Sequence, residues 1–275
     1  PAIAFWLASR WLQRRRADLA SHVCDALTVL FTALFGIFQI RHFIHDGDPL
    51  TRTSGFLEMG LLAVLFLGLS HTLMHVARAR RSAVFGVSHI AAAGIAAFIV
   101  VFGLLLGQNP ALTDRAVTGG TPLSTLAPAY LLPGLMALYI ARHAAPFRPA
   151  WYTRTCAIAA LVLIFAYVTL EVRHAFHGQH LGLMRGIEQP ESWAYTVAWL
   201  ALALAYLAYG LLRGSLPARI ASGVLLVLAI LKVALLDLAG VTGIWRALSF
   251  LCLGGVLIGI GFIYQRWVFR RPEAG

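Results

Sequence analysis

The sequence predicts an all-α fold, a polytopic transmembrane helix bundle with about eight spans. Hydrophobic residues make up 60% of the 275 residues and charged residues only 12%, whereas soluble domains carry about 25% charged residues. The apolar residues also fall into uninterrupted blocks, and residues 59–77 and 192–212 contain no Asp, Glu, Lys or Arg. Blocks of roughly 17–25 apolar residues are long enough to cross a bilayer. These observations favour a membrane protein over the buried helices of a soluble one.

The apolar blocks, and the arginines that border them, define the predicted helices. These helices lie near residues 20–42, 57–77, 83–107, 125–143, 155–177, 191–212, 217–238 and 245–265. A basic cytoplasmic lead-in, residues 1–19, precedes them. The first four helices form one predicted membrane unit, residues 20–145, and the last four form a second, residues 155–270. Both units belong to a single predicted membrane domain.

The distribution of basic residues predicts the orientation of the helices. Of the 22 Lys and Arg residues, fifteen lie in the N-terminal segment, in the connections at 78–81, 142–154 and 213–219, and in the C-terminal tail. Six lie in the alternate connections. Because cytoplasmic connections carry the excess of positive charge, both termini are predicted to be cytoplasmic. Asp25, one turn into the first helix, is expected to be solvated at the cytoplasmic end.

The net charge of +11 does not indicate a nucleic-acid-binding protein. The basic residues are spread between the apolar blocks, and no basic run carries the interleaved aromatic residues of a nucleic-acid groove. Cys24, Cys156 and Cys252 lie within apolar blocks without a paired spacing, which favours buried structural thiols. The sequence has no GxGxxG, GxxxxGK[ST] or GxSxG motif, so nucleotide-driven transport and α/β-hydrolase chemistry have no support.

Two short stretches of the sequence resemble each other at a shift of 132 residues. Residues 39–45 read Gln-Ile-Arg-His-Phe-Ile-His, and residues 171–177 read Glu-Val-Arg-His-Ala-Phe-His. Both close a long apolar helix, and an acid, Glu58 or Glu191, follows at the start of the next one. A duplicated four-helix unit would explain the similarity, and an even number of helices would make the repeat parallel. Chance similarity between two short stretches is the alternative.

The second copy of this Arg-His-x-x-His stretch is the principal candidate site. Arg173 and His177 are four residues apart, and Glu171 and His174 are three apart, so these side chains are close on the surface of one helix end. The stretch supplies a permanent cation and two groups that titrate near neutral pH. We therefore predict Glu171, His174 and His177 as catalytic groups that manage protons. Arg173 is predicted to bind an anionic substrate.

The first copy supplies Arg41 and His45, which are predicted to bind substrate as well. A structural interpretation competes with this one, because arginines at helix ends reach the membrane interface and histidines anchor them there. Only the second copy has an adjacent Glu171 and Lys232 as a candidate neighbour. The second copy is therefore predicted to be the functional one, and the first copy is predicted to have only a structural role.

Lys232 is the other polar residue that suggests a function, and we predict it as a substrate-binding residue. It lies inside the seventh predicted helix, and an ionisable group within the membrane is costly and is by default a candidate functional group. Glu171 or a backbone carbonyl is its expected partner, with extension to the outer headgroups as the alternative. Asp237 and Arg246 flank the connection that follows, and we predict both as substrate-binding residues. They could equally pair with each other and fix that hairpin.

No cofactor is predicted from the sequence. His71 and His75 are four residues apart near the inner end of the second predicted helix, a spacing that is compatible with a metal ion. A haem or metal site through these two residues is the minor alternative, because no cysteine ligand and no CxxCH or HExxH motif accompanies them.

The stretch from Lys232 to Arg266 resembles the C-terminal end of a bacterial family of predicted multi-pass membrane proteins, domain of unknown function 2339. The residues that match its motif are Lys232, Asp237, Gly240, Arg246, Ser249 and Phe250. The Glu-x-Arg-His segment and the Glu191-Ser-Trp start of the sixth helix look like its upstream pattern. The resemblance is specific over roughly 165–266 and implies a helical fold in a bacterial inner membrane. It implies no activity.

Members of that family are usually longer, and this chain begins at Pro1. We therefore expect a C-terminal piece of a longer protein, with further membrane helices from an N-terminal region. The leading functional hypothesis is an outward-facing polar pocket for an anionic envelope molecule, such as a lipid-linked phosphate or glycan, that is handled or undergoes group transfer. A secondary transporter or flippase built from a parallel repeat, and a non-catalytic scaffold of an envelope assembly, are the alternatives. The sequence leaves open which of these it is.

Overall fold

The computed structural model describes residues 1–15, 19–50, 54–80 and 82–233, together with residues 254, 255 and 258. Within these ranges the regular secondary structure is helical and contains no strand. The predicted all-α class is therefore confirmed for the described part of the chain.

The helices follow the apolar blocks of the sequence. In chain order they are α1 (Ala2–Arg15), α2 (Leu19–Ile44), α3 (Phe56–Arg80), α4 (Ala83–Phe98), α5 (Pro110–Thr113), α6 (Leu132–His143), α7 (Ala150–His177), α8 (Gln189–Leu212) and α9 (Leu216–Lys232). A π-helical segment, Ile99–Gly107, continues α4, and another, Ala127–Leu131, leads into α6. A short 3₁₀ turn, Leu183–Arg185, precedes α8.

Five of these helical segments are long and apolar enough to cross a membrane: α2, α3, the segment Ala83–Thr113, α7 and α8. They correspond to the first, second, third, fifth and sixth predicted helices. The fourth corresponds to α6 with its π-helical lead, and the seventh corresponds to α9, which has 17 residues over Leu216–Lys232. The eighth, residues 245–265, falls almost wholly outside the described residues.

Within the predicted N-terminal lead-in, residues Ala2–Arg15 form the helix α1. The ring of Phe5 stacks on that of Phe31 in α2, with centroids 5.4 Å apart. Ser9 donates a hydrogen bond to Oδ1 of Asp25, and Ser82 donates one to Oδ2 at 2.8 Å. Asp25 is fully buried, so the expected solvation of this carboxylate is wrong. The helix α1 covers it and supplies a hydroxyl in place of water.

The described residues form two compact units. The first contains residues Pro1–Tyr167 and Gly178–Leu183, and the second contains Val168–His177 and the described residues from Met184 onward. In the first unit the core lies between α3, α4, α6 and the start of α7, where Phe66, Met74 and Ile140 are buried. In the second unit α8 packs along α9. The predicted division of the chain into two duplicated four-helix units, residues 20–145 and 155–270, stays a prediction.

Candidate functional site

A fully buried carboxylate organises the polar side chains of the second unit. Glu191 lies in the first turn of α8 and has no exposed surface. Arg173 Nη1 donates to its Oε1 at 2.9 Å, and Tyr195 Oη donates to the same oxygen at 2.9 Å. His177 Nε2 lies 2.8 Å from its Oε2. We call Arg173, His177, Glu191 and Tyr195 the Glu191 cluster.

The local sequence accounts for this arrangement. Arg173 and His177 are four residues apart in the last turns of α7, so both side chains project from one face of the helix. Gly178 has a φ of +65°, a conformation that glycine adopts without steric cost, and the helix ends there. Glu191 follows in the first turn of α8, where the helix dipole favours a negative charge.

The charges of the Glu191 cluster are compensated inside the protein. The Arg173 side chain is 3% exposed and that of Glu191 is not exposed, so their ion pair is shielded from water. Both terminal nitrogens of Arg173 also donate to the Gly186 carbonyl at 3.3 Å. A buried ion pair is stable only when further hydrogen bonds satisfy both charged groups, and the Gly186 carbonyl and Tyr195 contribute them here.

His177 is the member of the cluster that reaches the surface. Its side chain is 15% exposed, and Nε2 is the ring nitrogen that faces the carboxylate. When Nε2 carries the hydrogen of this contact, Nδ1 has the lone pair of a neutral imidazole. A carboxylate that fixes the tautomer of a histidine in this way is a recurring arrangement in acid–base catalysis. The geometry therefore suits proton transfer at Nδ1.

Lys232 joins α9 to the same end of α8. Its Nζ donates to the carbonyl oxygen of Ser192 and, at 2.8 Å, to the Oγ1 of Thr196. A backbone carbonyl was one of the two partners expected for this lysine, and it is observed. Arg173, His177 and Lys232 therefore converge on the first two turns of α8.

The first unit contains a similar arrangement around Glu58, in the first turn of α3. Arg41 Nη1 lies 2.5 Å from Oε1 of this fully buried carboxylate, and His45 Nε2 lies 3.1 Å from its Oε2. Arg41 Nε also donates to the Pro49 carbonyl at 2.7 Å. We call Arg41, His45 and Glu58 the Glu58 cluster. In both clusters the arginine meets Oε1 and the histidine meets Oε2.

The two clusters differ in what surrounds the shared residues. Tyr195 lies four residues after Glu191, whereas Leu62 lies four residues after Glu58. Glu171 lies two residues before Arg173, whereas Gln39 occupies the matching position in the first stretch. The Arg41 side chain is also more exposed, at 20%. The Glu58 cluster thus has fewer ionisable groups and more solvent.

The remaining predicted site residues divide into two groups. Glu171 and His174 are both buried in α7, at 8% and 7% exposure, two residues before and one residue after Arg173. Asp237 and Arg246 lie outside the described residues. The carboxylate that Arg173 and His177 contact is that of Glu191, which the site prediction did not include. Glu58 and Tyr195 were also missed. For Glu58 and Glu191 there was a usable signal, because each is an acid at the start of the helix that follows an Arg-His-x-x-His stretch.

His71 and His75 belong to an aromatic group at the ends of α3 and α6. Their rings meet edge to face with centroids 4.7 Å apart, and His71 also meets the ring of Tyr139 at 5.3 Å. Tyr139 in turn stacks on His143 at 4.0 Å. Among the described residues, no three or more His, Cys, Asp or Glu side chains are arranged to hold a metal ion. The contacts of these histidines are those of ring packing.

Comparison with known proteins gives a family and no activity. A family model described as "Predicted membrane protein (DUF2339)" matches residues 2–267. The match includes both Arg-His-x-x-His stretches. It is longer than residues 165–266, the range over which the sequence resemblance to the family is specific. No curated protein and no solved structure matches the chain.

Proposed function

Because the chain belongs to the DUF2339 family of predicted membrane proteins, which is described by location and not by activity, we propose a function from the chain's own clusters. The protein handles an anionic molecule of the bacterial cell envelope, such as a lipid-linked phosphate or glycan. It transfers a group to or from that molecule at the Glu191 cluster. Its membrane is the bacterial inner membrane, with both termini cytoplasmic and the cluster at the outer surface.

The observation that supports this proposal most is the contact between His177 and Glu191. The 2.8 Å approach of Nε2 to Oε2 orients an imidazole that is itself partly exposed. The carboxylate behind it is fully buried and is held by Arg173 and Tyr195. His177 thus has the position of a general acid or base, and Glu191 the position of the group that orients it.

The other residues of the second unit take supporting roles in the proposal. Arg173 holds the Glu191 carboxylate in place through their buried ion pair. Lys232 adds a second positive charge through its contacts with Ser192 and Thr196. Glu171 and His174, which are buried on either side of Arg173 along α7, supply two further ionisable side chains next to the cluster.

A conversion assay tests the proposal. Purified chain in detergent is incubated with the polar lipids of a bacterial envelope, and the lipids are compared by mass spectrometry before and after. Group transfer predicts that an anionic lipid is converted without any ion gradient. His177→Gln keeps a hydrogen-bond donor beside Glu191 but cannot accept a proton at pH 7, so conversion should stop while the melting temperature is retained. Absence of conversion by the wild type, or conversion that His177→Gln leaves unchanged, would contradict the proposal.

A second candidate function, a transporter or flippase built from a parallel repeat, is favoured by the matching Arg–Glu–His contacts of the two units. It predicts pH-dependent flipping of a fluorescent phosphatidylglycerol in proteoliposomes, and loss of flipping with either His45→Gln or His177→Gln. Group transfer predicts that only the change at His177 matters. A scaffold would tolerate both changes in both assays.

A further inference from the structure

An apolar groove lies on the first unit between α4 and α7. Leu67 of α3, Gly94 of α4, Ala137 of α6 and Thr155 of α7 are among the residues that line it. The volume of the groove is about 180 Å³. Its lining runs from Ile90 to Val100, along α4 and into the π-helical segment that continues it, which is about 15 Å at 1.5 Å per residue. This length is half of the roughly 30 Å hydrocarbon core of a bilayer and so matches the thickness of one leaflet.

One end of the groove carries polar groups. His89 lies four residues before Ala93 and seven before Ala96, so it shares the helix face that lines the groove. The His89 side chain is 1% exposed. In the described part of the chain, neither of its ring nitrogens has a hydrogen-bond partner. A buried imidazole without partners is costly, so an anionic group at this end of the groove would lower that cost.

Arg148 supplies a positive charge at the same end. It lies just before the start of α7, four residues before Tyr152, which lines the groove. Its Nε atom is buried and, among the described residues, has no hydrogen-bond partner. The indole of Trp151, which also lines this end, is 62% exposed, as expected of a tryptophan at a membrane interface. The groove thus combines an apolar channel with a cationic end.

We propose that this groove binds one acyl chain of an anionic phospholipid, whose phosphate pairs with Arg148 at the end of the groove where His89 is buried. The chain lies along α4 and α7, where the small side chains of Ala93, Gly94 and Ala159 make room for it. The proposal does not rest on the Glu191 cluster, which belongs to the other unit.

The dimensions favour an acyl chain over a membrane helix from another protein. A helix with its side chains is about 10–12 Å across and would run along the full thickness of the bilayer. The groove ends near Val100 and Leu163, about half of that distance. A single chain from one leaflet matches this length. A lone helix would also leave the guanidinium of Arg148 and the ring of His89 without an anion.

The experiment measures lipid bound to the purified full chain by native mass spectrometry, with phosphatidylglycerol and phosphatidylcholine as the two probes. Gly94→Leu fills the groove, and a Cβ at Gly94 meets no atom within 4 Å, so the helix itself tolerates the change. Gly86→Leu is the matched control, since a Cβ there also meets no atom within 4 Å and Gly86 does not line the groove. Ala97→Leu is a second filling variant.

The wild type and Gly86→Leu should each retain phosphatidylglycerol in preference to phosphatidylcholine. Gly94→Leu and Ala97→Leu should lower the bound phosphatidylglycerol at least tenfold at an unchanged melting temperature. Arg148→Gln should abolish the preference for the anionic lipid, whereas Arg154→Gln, an exposed arginine on α7, should keep it. Equal lipid binding by the filled and unfilled variants would overturn the proposal. The proposal would also be overturned if Gly94→Leu or Ala97→Leu lost a bound protein and kept the bound lipid.

Discussion

Arg173 and Glu191 form a buried ion pair that joins the last turns of α7 to the first turn of α8. The two charged atoms lie 2.9 Å apart, and neither side chain is more than 3% exposed. Such a pair is stable only while both partners are present, because a single charge left in a buried site has neither water nor a counter-ion. This dependence distinguishes the Glu191 cluster from the Glu58 cluster, where the arginine is nearer to solvent.

Removing Glu191 should therefore destabilise the protein more than removing Glu58. Glu191→Ala leaves Arg173 buried without the carboxylate of its ion pair, at a cost of about 3–5 kcal/mol. Glu58→Ala leaves Arg41, which is 20% exposed and can turn toward water, so its cost should be smaller. Melting temperatures of the purified variants in the same detergent measure the difference. Equal losses of stability in the two variants would show that the burial of the arginine does not determine the cost of removing its glutamate.

Lys232 should stabilise the contact between α8 and α9. Lys232→Met keeps the length of the side chain but removes both hydrogen bonds, which should cost about 2 kcal/mol because the bonds involve a charged donor. Thr196→Val removes the bond to Oγ1 and keeps the one to the Ser192 carbonyl, so it should cost about 1 kcal/mol. The double variant should lose no more than Lys232→Met alone. Additive losses would show that the lysine and the threonine act independently.

Gly60 should not tolerate a side chain, because a Cβ there would overlap the backbone of Ala129. Gly60→Ala should lower stability by about 3 kcal/mol or more, since backbone atoms cannot rearrange as a side chain can. Gly68→Ala is the control on the same helix, where the Cβ would make an ordinary 3.8 Å contact with Met136. Detergent-extracted yield and melting temperature compare the two variants. Equal tolerance would contradict the close approach of α3 to the segment Ala127–Leu131.

Asp25 should hold α1 in place. Asp25→Ala removes the acceptor of both the Ser9 and the Ser82 hydroxyl, so α1 should become accessible to trypsin at Arg10. Thr32→Ala is the control on α2, since the Thr32 hydroxyl bonds only within its own helix, to the Thr28 carbonyl. The measurement is the rate at which trypsin cleaves each folded protein at Arg10. Protection that survives Asp25→Ala would show that apolar packing, such as that of Phe5 on Phe31, is sufficient.

The sequence predicted the long helices closely because their boundaries are set by charge. The helix expected near 191–212 is Gln189–Leu212, and the one near 57–77 is Phe56–Arg80. The helix α1 was not predicted, since Arg10 and the arginines that follow it indicate an exposed segment. The hydrogen bond of Ser9 to Asp25 and the stacking of Phe5 on Phe31 show how this segment docks on α2.

The partner of the candidate histidine was not predictable from local spacing. Glu171 is near His174 along α7, and spacing on one helix therefore favoured it. Glu191 lies fourteen residues after His177 and meets it only because the chain turns at Gly178 and re-enters a helix with Glu191 in its first turn. A contact of that kind depends on tertiary structure, and the spacing of residues on one helix cannot predict it.

The most direct test compares His177→Gln with His45→Gln in the conversion of envelope lipids by the purified chain. The two changes are chemically identical, and both residues contact a buried glutamate through Nε2. We expect that His177→Gln abolishes conversion and that His45→Gln retains most of it. Equal activity of the two variants, whether both active or both inactive, would contradict the assignment of the Glu191 cluster as the working site.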